Sequence, residues 1–370
     1  MARLNLVIAD MDEAYTESIV NYLMASHSQR FQVSSFTKKE LLYDFLVNDS
    51  KKTDILLICP EFYCDSLPKD KITSIIFLAV GRLSEDVSDC GVVNKYQHGE
   101  KLINEVLNLF SEKCKNISLN STGSKVTKAV AVYSPVGGSG KTTLSTCMAK
   151  QCAKQGLQVF YLNFESMQST TFFMDSKGGQ SLSEILFYLK GKNKNLQLKI
   201  EGTRLTDKES NVHFFLPPDS MFELEEVEPE EIKKLISELK AMGQYDIIFV
   251  DMSSELSKRN LAIMEACDEI ILVFPQDAVA CVKADIFEKE LGILSKRNNI
   301  DISDKITIVL NKYNSHMALE IDTVSIVDES ISHYIPIVPA MISIKGNVDF
   351  TEIFTEFSSS IQDLISKYFE

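Results

Sequence analysis

Three things are missing from this chain, and each absence removes a class of function. Eight cysteines are present (Cys59, Cys64, Cys90, Cys114, Cys147, Cys152, Cys267 and Cys281), yet no two stand at CxxC spacing and no histidine lies at ligand spacing to any of them. That disfavours a structural zinc site and a dithiol redox motif, and the thiols read as reduced and mostly buried. No apolar run approaches the roughly 18 residues of a membrane-spanning helix. Met1 to Asp10 reads as a strand rather than a secretory leader. A cytoplasmic protein with no integral membrane segment is therefore expected. Positive charge is also short: the net charge is −14, and residues 121–370 carry 25 Lys+Arg against 35 Asp+Glu, a net −10. A field of that sign repels nucleic-acid phosphates and anionic lipid. Protein partners are favoured, with no direct nucleic acid.

What is present points to two folded domains. At 370 residues, 45% of them hydrophobic and 24% charged, the chain exceeds what one core usually serves. The polar stretch from Glu112 to Lys128 has no apolar period and reads as a linker. The expected division is a domain over 1–115, a linker over 116–127 and a second domain over 128–370. In the first, short apolar runs (Leu4 to Ala9, Ile55 to Cys59, Ile75 to Val80, Val92 and Val93) alternate with amphipathic stretches such as Glu13 to Met24 and Lys101 to Phe110. In the second, β-like runs recur at Ala129 to Tyr133, Val159 to Leu162, Val212 to Leu216, Ile247 to Val250, Ile270 to Phe274, Ile306 to Leu310 and Ile335 to Val338. Strand–helix alternation of this kind predicts an α/β fold class, with two doubly wound parallel-sheet domains. The acidic run Glu223 to Glu231 reads as a solvated loop and helix N-terminus.

The strongest local signal is Ser134-Pro-Val-Gly-Gly-Ser-Gly-Lys-Thr-Thr143, which follows a strand and opens a helix ended by Gly156. Gly137, Gly138 and Gly140, with Ser139 between them, let backbone N–H groups close around phosphate oxygens, and the helix N-terminus adds partial positive charge. Lys141 then reaches the outer phosphates, the Thr142 hydroxyl ligates Mg²⁺, and Thr143 closes the motif while sharing helical spacing with the core positions Leu144, Cys147, Met148 and Cys152. The strict GxxxxGK[ST] pattern fails at its first position, where Pro135 stands, so a glycine turn with an unused lysine is the competing reading. Tyr245-Asp-Ile-Ile-Phe-Val-Asp251 supports the first: a buried strand ending in a carboxylate suits a phosphate-loop ATPase that holds Mg²⁺ through water. ATP and Mg²⁺ are the ligands this pair of motifs implies.

With these residues in hand, 128–370 resembles the MinD/ParA family of deviant Walker ATPases. Pro135 to Thr143 stands where that family has GKGGVGKTT. The resemblance implies that Asn163 and Glu165 occupy the positions of the family's Asp-x-Asp near the attacking water and the metal. It also implies that Lys141, Glu165 and Asp251 form the catalytic set, and that Asn311, in Ile308-Val-Leu-Asn-Lys-Tyr313, reads the adenine. Val136 stands where the family's signature lysine crosses a dimer interface to the partner's phosphates. A valine supplies no charge, and losing such a contact costs about 10²–10⁵ in rate. At most a weak ATPase, acting as a homodimer, is implied.

Residues 3–112 resemble a response-regulator receiver whose chemistry is lost. Asp10 keeps one acidic position, Met11 replaces its neighbour, Cys59 stands where the phosphoacceptor aspartate would be, and Lys95 matches the late lysine. A degenerate receiver ahead of a deviant Walker ATPase is similar to the TadZ/CpaE family of pilus-assembly proteins. That resemblance implies an ATP-binding dimeric switch recruited to a cell pole, where it localises or assembles a Tad/Flp-type machinery with pilus or polar scaffold proteins. The alternative is a ParA/MinD-like positioning ATPase for another cargo: chromosome, plasmid, division or flagellar apparatus. A DNA-binding member would need a basic face, which the net −10 opposes. A membrane-bound member would end in a basic amphipathic helix, whereas the apolar residues of Phe350 to Glu370 are expected to pack on the domain.

Overall fold

The fold is taken from a computed structural model that describes residues 3–28, 30–48, 52–81, 90–113, 125–175, 179–191, 195–298, 300–316, 326, 329–344 and 349–369. Cys114 and linker residues 116–124 lie outside them. Contacts divide the chain into two compact units, Met1–Ser121 with Lys192–Thr203, and Thr122–Gly191 with Arg204–Glu370.

In the first unit, β1 (Leu4–Ala9), α1 (Glu13–Ser26), β2 (Phe31–Phe36), α2 (Lys39–Asn48), β3 (Thr53–Ile58), β4 (Ile72–Ala79), β5 (Gly91–Asn94) and α3 (Gly99–Lys113) alternate along the chain. The five strands pair in the order β2-β1-β3-β4-β5, all parallel. That is the flavodoxin-type order. β1 is apolar from Leu6 to Ala9 and β3 from Ile55 to Ile58 because helices cover both faces of the sheet there; Leu6, Ile8, Ile55 and Leu57 pack on one side, Val7, Leu56 and Ile58 on the other. Asp12 caps α1 by accepting from the Tyr15 N–H.

One segment departs from the expected boundaries. The second domain was expected to be continuous over 128–370, but Lys192–Thr203 belongs with the first unit. Its helix packs Leu198 into the core beside Val106 and Phe110 of α3. Asn108 donates to the Gly202 carbonyl at 2.6 Å, and Arg30 pairs with Glu201 at 2.8 Å. A Cβ at Gly202 would stand 2.8 Å from Asn108, so only glycine lets the two backbones approach this closely.

The second unit contains β6 (Lys128–Tyr133), α4 (Lys141–Lys154), β7 (Val159–Asn163), α5 (Thr170–Phe173) and α6 (Leu182–Lys190). The helix contributed to the first unit, α7 (Leu196–Thr203), comes next in the chain. After it come β8 (Leu205–Thr206), β9 (His213–Phe214), α8 (Phe222–Glu225), α9 (Pro229–Ala241), β10 (Ile247–Asp251), α10 (Lys258–Ala266), β11 (Glu269–Pro275), α11 (Ala278–Asn298), β12 (Ile306–Tyr313), β13 (Ile331–Pro336), α12 (Phe350–Ile353) and α13 (Thr355–Ile365). The strand order is β13-β12-β11-β6-β10-β7-β9-β8. All pairs are parallel except β8 with β9. The fold class is therefore α/β with two doubly wound sheets. β13 begins at Ile331, earlier than expected, and β8 adds an eighth strand.

The apolar face of the last helix is consumed by this core. Phe357, Ile361, Leu364 and Ile365 are buried with Val130, Phe249 and Val309, and Lys367 pairs with Glu269 beyond the helix end. Among the described residues, no helix is long and apolar enough to cross a membrane.

Candidate functional site

The site lies at the carboxyl ends of β6, β7, β10 and β12, where doubly wound sheets place their ligand crevice. After β6 the chain turns through Ser134 to Gly140. Gly138 (φ 69°) and Gly140 (φ 95°) are left-handed, which is why a run of glycines is required here. Gly140 is also the N-cap of α4 and has no side chain to satisfy its first N–H groups, so those donors stay directed at the loop. Around Gly137 and Gly138 a Cβ would meet nothing within 4 Å, leaving open space beside the loop.

Gly140 is held from behind. Asn311, at the end of β12, donates its amide to the Ser139 carbonyl at 2.7 Å, and an added Cβ on Gly140 would lie 2.3 Å from that amide nitrogen. The expected adenine-reading residue is thus buried against the loop, fixing its shape. We expect Gly140→Ala to cost about 1–3 kcal/mol from left-handed strain and this clash, measured by denaturant unfolding. A neutral result would mean the loop is not held in this conformation.

One cation, one hydroxyl and two carboxylates converge on the helix start. Lys141, only 5% exposed, donates to Ser254 Oγ at 2.7 Å and lies 3.8 Å from a Glu165 oxygen. Thr142 donates to the other Glu165 oxygen at 3.0 Å. Asp251 is fully buried; its Oδ2 accepts from Tyr161 at 2.9 Å, and its Oδ1 has no partner. Desolvation first, then the charge of Glu165, pushes the Asp251 pKa well up, against lowering by the hydroxyls of Thr142 and Tyr161 and the charge of Lys141. The Ser139 hydroxyl is a second buried polar atom without a partner. Orphaned polar atoms of this kind mark a place where a ligand or metal completes the bonding.

Asn163 is held by hydrogen bonds within the protein. Its oxygen accepts the Glu165 N–H at 2.8 Å, and its nitrogen donates to the Tyr161 hydroxyl at 3.1 Å and to Thr170 at 3.2 Å. Both ends are engaged, and they shape the turn that presents Glu165. Val136 is 7% exposed, with its N–H on Ser134 Oγ at 3.0 Å, so it packs inward. The loop is also met by two lysines outside the phosphate-loop motif. Lys283 of α11 donates to the Pro135 carbonyl at 3.2 Å, and Lys312 to the Gly138 carbonyl at 2.7 Å. Lys312 holds a left-handed backbone (φ 58°), an unusual conformation for a long side chain and a common one at functional sites.

Comparison with known proteins bears on the fold of this unit. Residues 127–304 match a family model described as an AAA domain. Over 206 residues the chain is 23% identical to the septum site-determining protein MinD of Bacillus subtilis (strain 168), covering 56% of this chain and 72% of that protein. The structure of a ParA family ATPase from Chlorobium tepidum TLS aligns with TM-score 0.53 at 18% identity, over 64% of this chain and 98% of that one. The second unit has the MinD/ParA phosphate-loop fold. Septum site-determining protein MinD from Pyrococcus horikoshii OT3, complexed with Mg-ADP, aligns with TM-score 0.52 at 19% identity, over 65% of this chain and 95% of that one.

The first unit gathers its own polar cluster at the carboxyl ends of β1, β3 and β5. Lys95 donates to Asp10 Oδ1 at 2.8 Å and lies 3.5 Å from Asp12, with its ammonium 4.7 Å from the Tyr15 ring centroid and 5.4 Å from that of Tyr96. Burial is the largest single influence and works against the Lys95 charge, but the hydrogen bond and charge of Asp10 together with the charges of Tyr96 and Asp12 outweigh it, and the pKa rises. Cys59 is buried, and desolvation raises its thiol pKa. An uncharged thiol is a poor nucleophile.

Proposed function

We propose that the second unit binds ATP with Mg²⁺ and uses it chiefly as an assembly ligand. The observation that carries this is the convergence of Lys141, Thr142 and Glu165 with the partnerless Asp251 Oδ1 at an open glycine loop. In this reading the N–H groups of Gly137, Gly138, Ser139 and Gly140 and the first turn of α4, including Thr143, hold phosphate oxygens. Lys141 holds the outer phosphates, and Thr142 and Asp251 (via water) hold Mg²⁺. When bound, the metal–nucleotide supplies concentrated charge and a γ-phosphoryl group whose loss can reset a switch. Lys141 is already poised between Ser254 and Glu165, so filling the site exchanges existing partners rather than ordering a free side chain. Asn311 positions the loop, and adenine contact by it would need the Ser139 bond to break. Buried Val136 supplies no cross-dimer cation, which supports slow turnover. Calorimetric titration with Mg-ATP tests the assignment: binding in the micromolar range or tighter is expected, and no heat and no competition by ADP would refute it.

The finer role is the one implied by the chain's two-part organisation: a dimeric switch that localises or assembles a Tad/Flp-type pilus machinery at a cell pole. Its support is the pairing of this ATPase fold with a flavodoxin-type unit whose acidic pocket carries Cys59 and an inward-turned Lys95. A lysine neutralising Asp10 leaves little carboxylate field for a divalent ion, and a thiol forms no acyl phosphate. Incubation with a small phosphodonor should therefore leave residues 1–115 unmodified by intact-mass spectrometry. A stable gain of one phosphoryl group there would refute the interaction-module reading. Positioning of another cargo is the second reading, favoured by the likeness to MinD and ParA proteins. Imaging a fluorescent fusion with and without pilus genes separates the two.

A further inference from the structure

The second unit exposes two phenylalanines on short helices of its surface. Phe187 on α6 is 78% exposed and Phe222 on α8 is 69% exposed. The two helices are fastened together on either side of them: Ser183 Oγ accepts the Asp219 N–H at 2.8 Å, and Lys190 pairs with Glu226 at 2.7 Å. Phe187 precedes Lys190 by three residues and Phe222 precedes Glu226 by four, so each ring shares the outer face of its helix with that exposed ion pair. Met167, 79% exposed, follows Ser166, whose hydroxyl lies 3.4 Å from Glu225 beside Phe222. Large exposed apolar side chains on elements bonded to one another mark an interaction surface rather than scattered exposure.

The rim identifies the partner's chemistry. From Phe222 to Glu231 the chain carries six glutamates and no lysine or arginine. Glu225 and Glu226 keep their side chains 57% and 67% exposed, and among the described residues the cations that pair with them are Lys190 and Arg259. A second copy would bring the same carboxylates face to face across a two-fold axis, and an anionic bilayer or a nucleic acid would be repelled. We propose that this patch docks a basic amphipathic segment of another protein, its apolar side chains seated on Phe187, Phe222 and Met167 and its lysines or arginines among the glutamates. The surface is tied to the nucleotide loops. Arg259 donates to the Leu224 carbonyl of α8 at 2.8 Å and to Ser253 and Glu255 after β10 at 3.3 and 2.9 Å, while Ser166 stands next to Glu165. A shift of either loop therefore moves α8 and changes the patch.

The test uses a fluorescein-labelled helical peptide of leucine and lysine at amphipathic spacing and its Lys→Glu counterpart, titrated against the full chain by anisotropy at physiological salt. The parent should bind the basic peptide and ignore the acidic one. Phe187→Ser with Phe222→Ser removes no charge and buries nothing new, so it should leave the unfolding temperature near that of the parent while weakening the basic peptide about tenfold or more. Glu225→Lys with Glu226→Lys should reverse the preference. Equal affinity for the parent and the phenylalanine pair would overturn the proposal, because the net negative field alone would then explain binding. Loss of self-association in that pair, with peptide binding unchanged, would assign the patch to a second copy and overturn it too. Repeating the titration in Mg-ATP tests the link to the loops, which rests on the ATP-binding reading. An unchanged Kd in protein that calorimetry shows to be loaded refutes the link; failure to load refutes the ATP reading and leaves the peptide result standing.

Discussion

Replacing Lys141 by alanine is expected to abolish measurable nucleotide binding, a loss of about 100-fold or more. The side chain is almost wholly buried, and its ammonium is the cation nearest Glu165 at the head of α4. Truncating one partner of a desolvated charge pair costs about 2–5 kcal/mol, which is a factor of about 30 to several thousand in affinity. Part of that cost falls on the protein without nucleotide, because the charge of Glu165 would then act on Asp251 without the opposing charge of Lys141. Calorimetry of the variant must therefore be accompanied by a thermal melt. A folded variant that binds ATP as tightly as the parent would show that the phosphates are held elsewhere.

Asp251→Asn is expected to do the opposite to stability. Asp251 is fully buried, with one oxygen unpartnered and the negative Glu165 nearby, so its ionised form is costly. Its folded pKa is raised from 3.8 to about 7, so between those values the folded state binds more protons than the unfolded one. Stability therefore falls as pH rises through that window. Asparagine removes the charge while keeping shape. It should raise stability by about 1–3 kcal/mol above pH 7, worth about 2–4 °C in Tm per kcal/mol for a domain of this size. The advantage should disappear near pH 4. The same variant should lose the Mg²⁺ enhancement of nucleotide binding. A variant less stable than the parent at pH 8 would mean that the carboxylate is paired in a way the present contacts do not show.

The phosphate loop was legible because its code is local. Left-handed turns need glycine, and Gly138, Gly140, Lys141 and Thr142 stand at contiguous positions, so spacing alone placed them together. Asp251 was legible for a similar reason, since a fully apolar strand ending in a carboxylate is conspicuous. Ser254, Tyr161, Lys283 and Lys312 were not, because they reach the loop only through sheet order and helix packing, with no spacing to announce them. Asn311 was found, but its contact with Ser139 depends on the β12 register beside β11. β2 was missed because FQVSSF sits at a sheet edge and buries only Phe31 fully, which weakens the apolar signal. The excursion of α7 into the first unit left no mark at all, since its deciding features, Gly202 against Asn108 and Arg30 against Glu201, pair residues far apart in sequence.

Sedimentation velocity of the full chain in Mg-ATP and in Mg-ADP, with phosphate release followed in the same samples, tests most directly whether ATP acts as an assembly ligand. A γ-phosphate that orders the loops after Glu165 and Asp251 should favour the dimer by mass action, while the uncharged Val136 keeps turnover slow. The predicted result is a larger dimer fraction in Mg-ATP than in Mg-ADP, at a rate of phosphate release too low to empty the site during the run. Equal dimer content in the two nucleotides would contradict the account, and so would fast hydrolysis by the parent protein.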